Sequence, residues 1–123
     1  VKKADNTTNV TFVQKVPSSG DKVPCVWTQD GASTYRDQRP TLSAVSQWNG
    51  ARTARRVRVA CDFPVVRTIN SVPVVVHRVP LETSIAVPSG LTDAEANECI
   101  AQYTNALASS LLRAIMSEGY AAT

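Results

Sequence analysis

Histidine occurs once in these 123 residues, cysteine three times and glycine five times, and aromatic residues make up only 6%. Each scarcity excludes something. With His77 alone, no serine or cysteine placed to use it as a base, and no Gly-rich phosphate loop, the chain is not expected to be an enzyme. Cys25, Cys61 and Cys99 are odd in number and show no CxxC spacing. They read as small core residues, not as a disulfide framework or a zinc set, so no metal and no cofactor is expected. No apolar run approaches the roughly 20 residues that span a bilayer, and the first residues, Val1 to Asp5, lack an apolar signal segment. No membrane partner and a cytosolic site of synthesis are the expectations. What is present, 43% apolar and 19% charged residues, fits one globular domain.

The net charge is only +3 but unevenly placed. From Arg39 to Leu81 there are seven arginines and one acid, Asp62, while the rest of the chain is net acidic. All four lysines precede residue 23, and every arginine follows them. Arginine is favoured where planar, bidentate contact with phosphate matters, so the basic middle leans toward nucleic acid. Its centre is the stretch Arg52 to Pro64. From Arg56 to Phe63 the residues alternate strictly: Arg56, Arg58, Ala60 and Asp62 on one side, Val57, Val59, Cys61 and Phe63 on the other. Strand side chains alternate between faces, so this is a half-buried strand with one apolar and one arginine-bearing face. Asp62 is expected to pair with a neighbouring arginine.

The remaining chain supplies a sheet and then helices. Residues 1 to 8 are polar and read as a loose arm. Apolar residues on either side of Pro17–Asp21 predict a β-hairpin over 9–28, with Pro24 marking its second strand as an edge. Ala32 to Tyr35 reads as a short strand. Thr41 to Trp48 places Thr41 and Ser43 on one face, and Asn49-Gly50 predicts a type I′ turn into the arginine strand. Pro64 is expected to close that strand and Arg67 to Val72 to form a loop. A long strand follows to Val87, with a bulge or pairing gap at Pro80. The main sheet thus occupies 32–88. Thr92-Asp93-Ala94-Glu95 is a capping box that starts a helix at Asp93, Ser109-Ser110 breaks it, and a second helix runs to Glu118, so the helices occupy 92–118. Tyr103 and Met116 fall in helical stripes and read as core. One such stripe cannot cover five strands, and a long terminal strand leaves an unpaired edge, which predicts dimerisation through it.

This order of parts resembles the coat proteins of the small single-stranded RNA bacteriophages. Three passages carry the resemblance: Thr41-Leu42-Ser43 ahead of an Asn-Gly turn, Phe63-Pro64-Val65-Val66 with Pro73 to Arg78 bracketing a loop, and the acidic helix start Thr92 to Glu98. The resemblance implies an α+β fold with an N-terminal β-hairpin, an antiparallel sheet of about five strands and two C-terminal helices packing on a partner subunit. It further implies a homodimer that self-assembles into an icosahedral shell, a virion location, and a polar sheet face lining the interior against single-stranded genomic RNA. A second role in the family is repression of translation by gripping an RNA hairpin.

The implied RNA-binding residues are Thr41, Ser43, Arg52, Arg55, Arg56, Arg58, Arg78 and Glu82. Thr41 and Ser43 match the family's adenine-pocket Thr and Ser. Arg58 and Ala60 stand at the facing pocket positions, where a Thr and a Lys are usual, and Pro80 and Glu82 stand in place of a stacking Tyr and an Asn. The loop Arg67, Thr68, Ile69, Asn70, Ser71 and Val72 would meet its copies around the symmetry axes, without a cysteine for cross-linking. A dimeric RNA-binding regulatory module on a similar plan is the competing reading.

Overall fold

The structure, a computed structural model, describes residues 1, 3 and 7–119. The chain forms two compact units, Val1–Val87 and the segment from Pro88 onward, and each is described by itself. In the first, β1 (Val13–Val16), β2 (Cys25–Thr28), β3 (Thr41–Trp48), β4 (Ala54–Ile69) and β5 (Val72–Pro88) make one five-stranded sheet in sequence order. This is the sheet expected from the alternation pattern, and it matches the expected fold class.

The arm expected over residues 1–8 lies partly outside the described residues. Where described it is tied down: the Lys3 amide donates to the Thr8 carbonyl (2.9 Å) and the Val10 amide to that of Val1 (2.7 Å). In the first hairpin β1 and β2 pair antiparallel, with a register shift between Gln14 and Val16. The edge assignment of the second strand is corrected. β2 lies between β1 and β3, and it tolerates Pro24 because the ladder begins one residue later, at Cys25. Between β2 and β3, the strand expected at Ala32 to Tyr35 is replaced by 3-10 turns at Asp30–Ala32 and Arg36–Gln38. Gln38, the buried polar side chain of this segment, fastens it to β5 by donating to the Pro73 carbonyl (3.2 Å) while accepting the Ser33 hydroxyl (2.9 Å).

β3 and β4 pair antiparallel from Thr41–Asp62 to Trp48–Arg55. Their connection is not a two-residue turn at Asn49-Gly50. It runs from Asn49 to Thr53, and the residue with positive φ is Arg52 (55°). The Asn49 side-chain oxygen accepts the Thr53 amide (2.9 Å), and its backbone bridges Ala54 and Arg52 (3.0 and 3.1 Å), so the asparagine closes a wider loop.

Pro64 does not end β4. The β3 partners stop at Asp62, so Pro64 lies where no β3 donor or acceptor waits for it, and the strand continues to Ile69. The expected six-residue loop therefore shrinks: Arg67, Thr68 and Ile69 belong to β4, Val72 opens β5, and only Asn70 and Ser71 turn, at φ 51° and 65°. Two positive φ values in a two-residue link are the signature of a type I′ hairpin. β5 runs unbroken through Pro80 as an edge strand, where a missing donor is tolerated.

In the second unit, α1 (Asp93–Leu107) starts where its capping box predicted, and α2 (Ser110–Glu118) follows the break expected at Ser109-Ser110. The Thr92 hydroxyl accepts the Glu95 amide (3.3 Å) and donates to its carboxylate (2.8 Å), and Ser109 caps α2 through the Leu112 amide (3.4 Å). Gly119, at φ 79°, ends α2 in the left-handed conformation that glycine adopts without strain.

Among the described residues no hydrophobic side chain is buried. Phe63 of β4 and Val79 and Leu81 of β5 are exposed. Tyr103 and Met116, expected in a core, are likewise exposed in the single chain.

Candidate nucleic-acid interface

The register fixes the wet face of the sheet. Thr41 stands opposite Asp62, Ser43 opposite Ala60, Val45 opposite Arg58 and Gln47 opposite Arg56. Cross-strand partners share a face, so Thr41, Ser43, Arg56 and Arg58 are brought together as the sequence alternation required. β5 adds a third column. Arg58 and Glu82 form a two-pronged ion pair, with Nε and one Nη each 2.8 Å from a carboxylate oxygen. Arg78 reaches Asp62 (2.8 Å) and also donates to the Asp37 carbonyl (3.0 Å). Ala60 and Pro80 lie between the two pairs. The expected partnership of Asp62 with an arginine is thus present.

Arg55 stands apart from this set. It precedes Arg56 in the alternation and pairs across from Trp48, on the other face. Its guanidinium makes two 2.9 Å bonds to the Asp21 carboxylate and a 3.0 Å bond to the Ser46 hydroxyl, and it sits 5.0 Å from the Trp48 ring centroid. The bond from Arg55 holds the Asp21 carboxyl below its ordinary 3.8, with Arg52 and Lys22 adding to the pull, and the same pair raises the Arg55 guanidinium. Arg55 is committed to tying the first hairpin to the sheet. Asp30 does the same at the far end of that hairpin. It is held low by hydrogen bonds from Lys15 (2.6 Å) and the Thr28 hydroxyl, with Arg39 nearby (3.4 Å).

Arg56 makes no ion pair among the described residues and is exposed. Arg52, in the turn, is also without a salt bridge among the described residues. Beside them stands Lys22, absent from the residues expected on sequence grounds. Its backbone, at φ 67°, donates to the Ser46 carbonyl (3.0 Å), which fixes the hairpin end against β3. No local pattern announces this contact, because it arises only when the hairpin folds back on β3. Lys22 lines three adjoining depressions on this face: about 310 Å³ with Ser43, Arg58 and Ala60; about 340 Å³ with Arg56, Arg58 and Ser84; and about 600 Å³ with Arg52, Arg56 and Trp48. Thr41 lines none of these three. The loop residues Arg67 to Val72 lie around the tip of the β4–β5 hairpin, beyond the end of β3.

The face can neutralise phosphates and offers hydroxyl and amide groups at Thr41, Ser43 and Gln47. Among the described residues no three His, Cys, Asp or Glu side chains are grouped to hold a metal, and no helix is long and apolar enough to cross a membrane. The three cysteines are free.

No family model and no curated protein matches the sequence. Solved structures do match the fold. The virus-like particle of bacteriophage ESE058 is similar at a TM-score of 0.80 and 19% identity, covering 100% of this chain and 95% of that one. The virus-like particle of bacteriophage NT-214 is similar at 0.77 and 20% identity, covering 94% and 89%. The bacteriophage GA protein capsid follows at 0.73 and 16%, covering 95% and 89%. The fold is the RNA phage coat protein fold. At these identities about four positions in five differ, so the likeness is one of fold. On it, the wet face carries Arg58 and Ala60 on β4 and Pro80 and Glu82 on β5.

Proposed function

We propose that the protein is the structural subunit of a phage capsid: a homodimer that self-assembles into an icosahedral shell and packages single-stranded genomic RNA against its arginine-bearing sheet face. The observation that carries this reading is the likeness of nearly the whole chain to virus-like particle and capsid structures. Two features of the chain support it. The absence of any buried hydrophobic side chain among the described residues, with β5 presenting a 17-residue open edge, leaves a sheet that is stabilised when a second copy adds its own β5. The wet face, with free Arg56 and the neighbouring Lys22 and Arg52, supplies phosphate affinity without base readout.

Packaging is better supported than repression by hairpin recognition. RNA is read mostly through unpaired bases held by stacking and edge contacts. Ala60, Pro80 and Glu82 offer neither on the middle of the face, and Glu82 engages Arg58. The hairpin-tip residues Arg67 to Val72 are proposed to meet their copies through noncovalent contacts. The reading assigns no catalytic role.

Expression of the chain in bacteria followed by negative-stain microscopy tests the proposal. Closed isometric particles containing nuclease-protected RNA are the expected result. Small dimers alone would instead favour a regulatory RNA-binding module, and a monomer by light scattering in dilute solution would overturn dimerisation.

A further inference from the structure

The segment between β2 and β3 is more than a connection. Its ends meet, the Gln29 amide donating to the Pro40 carbonyl (3.0 Å), and Arg39 folds back across its inside to the Ser33 carbonyl (2.8 Å), the Thr34 carbonyl (3.4 Å) and the Asp30 carboxylate (3.4 Å). The Ser33 hydroxyl closes the middle, accepting the Tyr35 amide (3.1 Å) and donating to Gln38 (2.9 Å). Residues 29–40, tied at both ends and through the middle, form a compact loop that moves as one piece. Among the described residues the buried ones, Gln38 and Pro40, both belong to it. This piece is anchored to β5 at two points. The Gln38 side chain donates to the Pro73 carbonyl (3.2 Å), and Arg78 donates to the Asp37 carbonyl (3.0 Å) while its other Nη holds the Asp62 carboxylate of β4 (2.8 Å). β4 lies between β3 and β5 in the sheet, so a loop that leads into β3 and holds β5 passes across β4, which the Arg36–Gln38 turn touches. The pairing of β3 with β4 ends at Asp62, and from there β4 and β5 run on to the Asn70-Ser71 turn with this loop as their tie to the rest of the sheet. Pro73 and Arg78 are separated by roughly 17 Å of extended strand, and two attachments so far apart resist rotation where one would serve as a pivot.

We infer that residues 29–40 are a strap that fixes the direction of the β4–β5 ribbon, with Gln38 and Arg78 as its positioning residues, and that the strap thereby limits the angles at which copies of this chain meet through the ribbon tip. The second half rests on the capsid-subunit reading, and the first on the chain alone. Arg78 thus has a different task from Arg56 on the same face. Its guanidinium fork is spent on a carboxylate and a carbonyl at once, which needs planar geometry and not charge alone.

Hydrogen exchange of the purified full chain below its assembly concentration, read by peptide mass spectrometry, tests the strap, and electron microscopy of the particles tests its consequence. Gln38→Met removes the buried amide, and Arg78→Lys keeps the charge but not the fork. Each is expected to speed exchange of the ribbon amides over residues 65–77 about two- to tenfold, the effect of losing one hydrogen bond, while the amides of β3 keep their wild-type rate. The failure of lysine to restore protection separates positioning from charge. Particles of both variants should spread over more than one diameter, where the wild type is expected to give one. Unchanged exchange in both variants would overturn the strap. So would an Arg78→Met chain whose log affinity against log salt plot for single-stranded RNA flattens by about 0.7 with exchange unaltered, since Arg78 would then be a phosphate contact. Faster exchange with particles of one diameter would overturn the link to assembly. If the wild type forms no particles the capsid reading fails, and the exchange rates still decide the strap.

Discussion

Replacing Glu82 by Gln should tighten RNA binding. In the folded chain Glu82 holds Arg58 through two 2.8 Å contacts, with the two side chains 51% and 59% exposed. A pair so exposed is worth at most about 1 kcal/mol, so its loss should lower stability by no more than that. The same amount is what a phosphate must overcome to take Arg58 from its carboxylate, and removing it corresponds to up to about a fivefold gain in affinity. The freed guanidinium also engages one more phosphate, which steepens the salt dependence by about 0.7 in a log–log plot for single strands. Between 50 and 200 mM salt the advantage should therefore shrink by roughly two- to threefold. Fluorescence anisotropy of a labelled single-stranded RNA at four or five salt concentrations measures both quantities. Superimposable lines for Glu82→Gln and the wild type would mean that Arg58 meets no phosphate, and the wet face would have to be reassigned.

Acid should loosen the first hairpin. Asp21 and Asp30 both titrate below their ordinary 3.8 in the folded chain, so the stability they lend is complete above that value and is lost as pH falls through their lowered folded values. Near-ultraviolet circular dichroism of Trp27 and Trp48 follows this loss, and Asp21→Asn should flatten its Asp21 part; an unchanged acid curve contradicts the assignment. Ser71→Gly should stabilise the β4–β5 hairpin by up to about 1 kcal/mol, because serine at φ 65° bears a steric cost that glycine does not. A melting temperature that falls would show that the serine side chain contributes more than the backbone loses. Thr92→Ala should cost about 1 kcal/mol by removing both bonds of the α1 cap, read as a loss of helical signal on heating.

Period-2 alternation placed Arg56 and Arg58 on one face, so that part of the wet face was legible in the sequence, while the register of β3 on β4 was not, because the connection is longer than the two-residue Asn49-Gly50 turn. The cap of α1 was legible too, being local chemistry at fixed spacing, while Ser109, read as a helix breaker, turned out to cap α2. What was not legible depends on neighbours. Pro64 looks like a strand end until one knows that β3 stops at Thr41 and leaves that stretch of β4 free on one side. Asn70-Ser71 is a weaker hairpin signal than Asn49-Gly50, yet it makes the tight turn, because β4 runs to Ile69 and β5 starts at Val72, which leaves only two residues to reverse the chain. Lys22 entered the site through a backbone bond to Ser46, 24 residues away in sequence. Arg55, adjacent to Arg56, was separated from it by the same alternation that grouped the others, and its partner Asp21 comes from a distant turn.

The short turn at Asn70-Ser71 has a mechanical consequence. β4 and β5 are 16 and 17 residues long, a ribbon that at about 3.4 Å per residue reaches up to roughly 55 Å, and past Asp62 it loses the support of β3. A long loop at such a tip could change shape to suit unlike surroundings. A two-residue turn has one conformation to offer, so it behaves as the rigid end of a lever. Wherever copies of this chain meet through it at different angles, the difference has to be taken up by twist and bend along the ribbon beyond β3, against the ties between Gln38 and Pro73 and between Arg78 and Asp37, and substitutions that stiffen residues 63–69 would act on assembly without touching an interface.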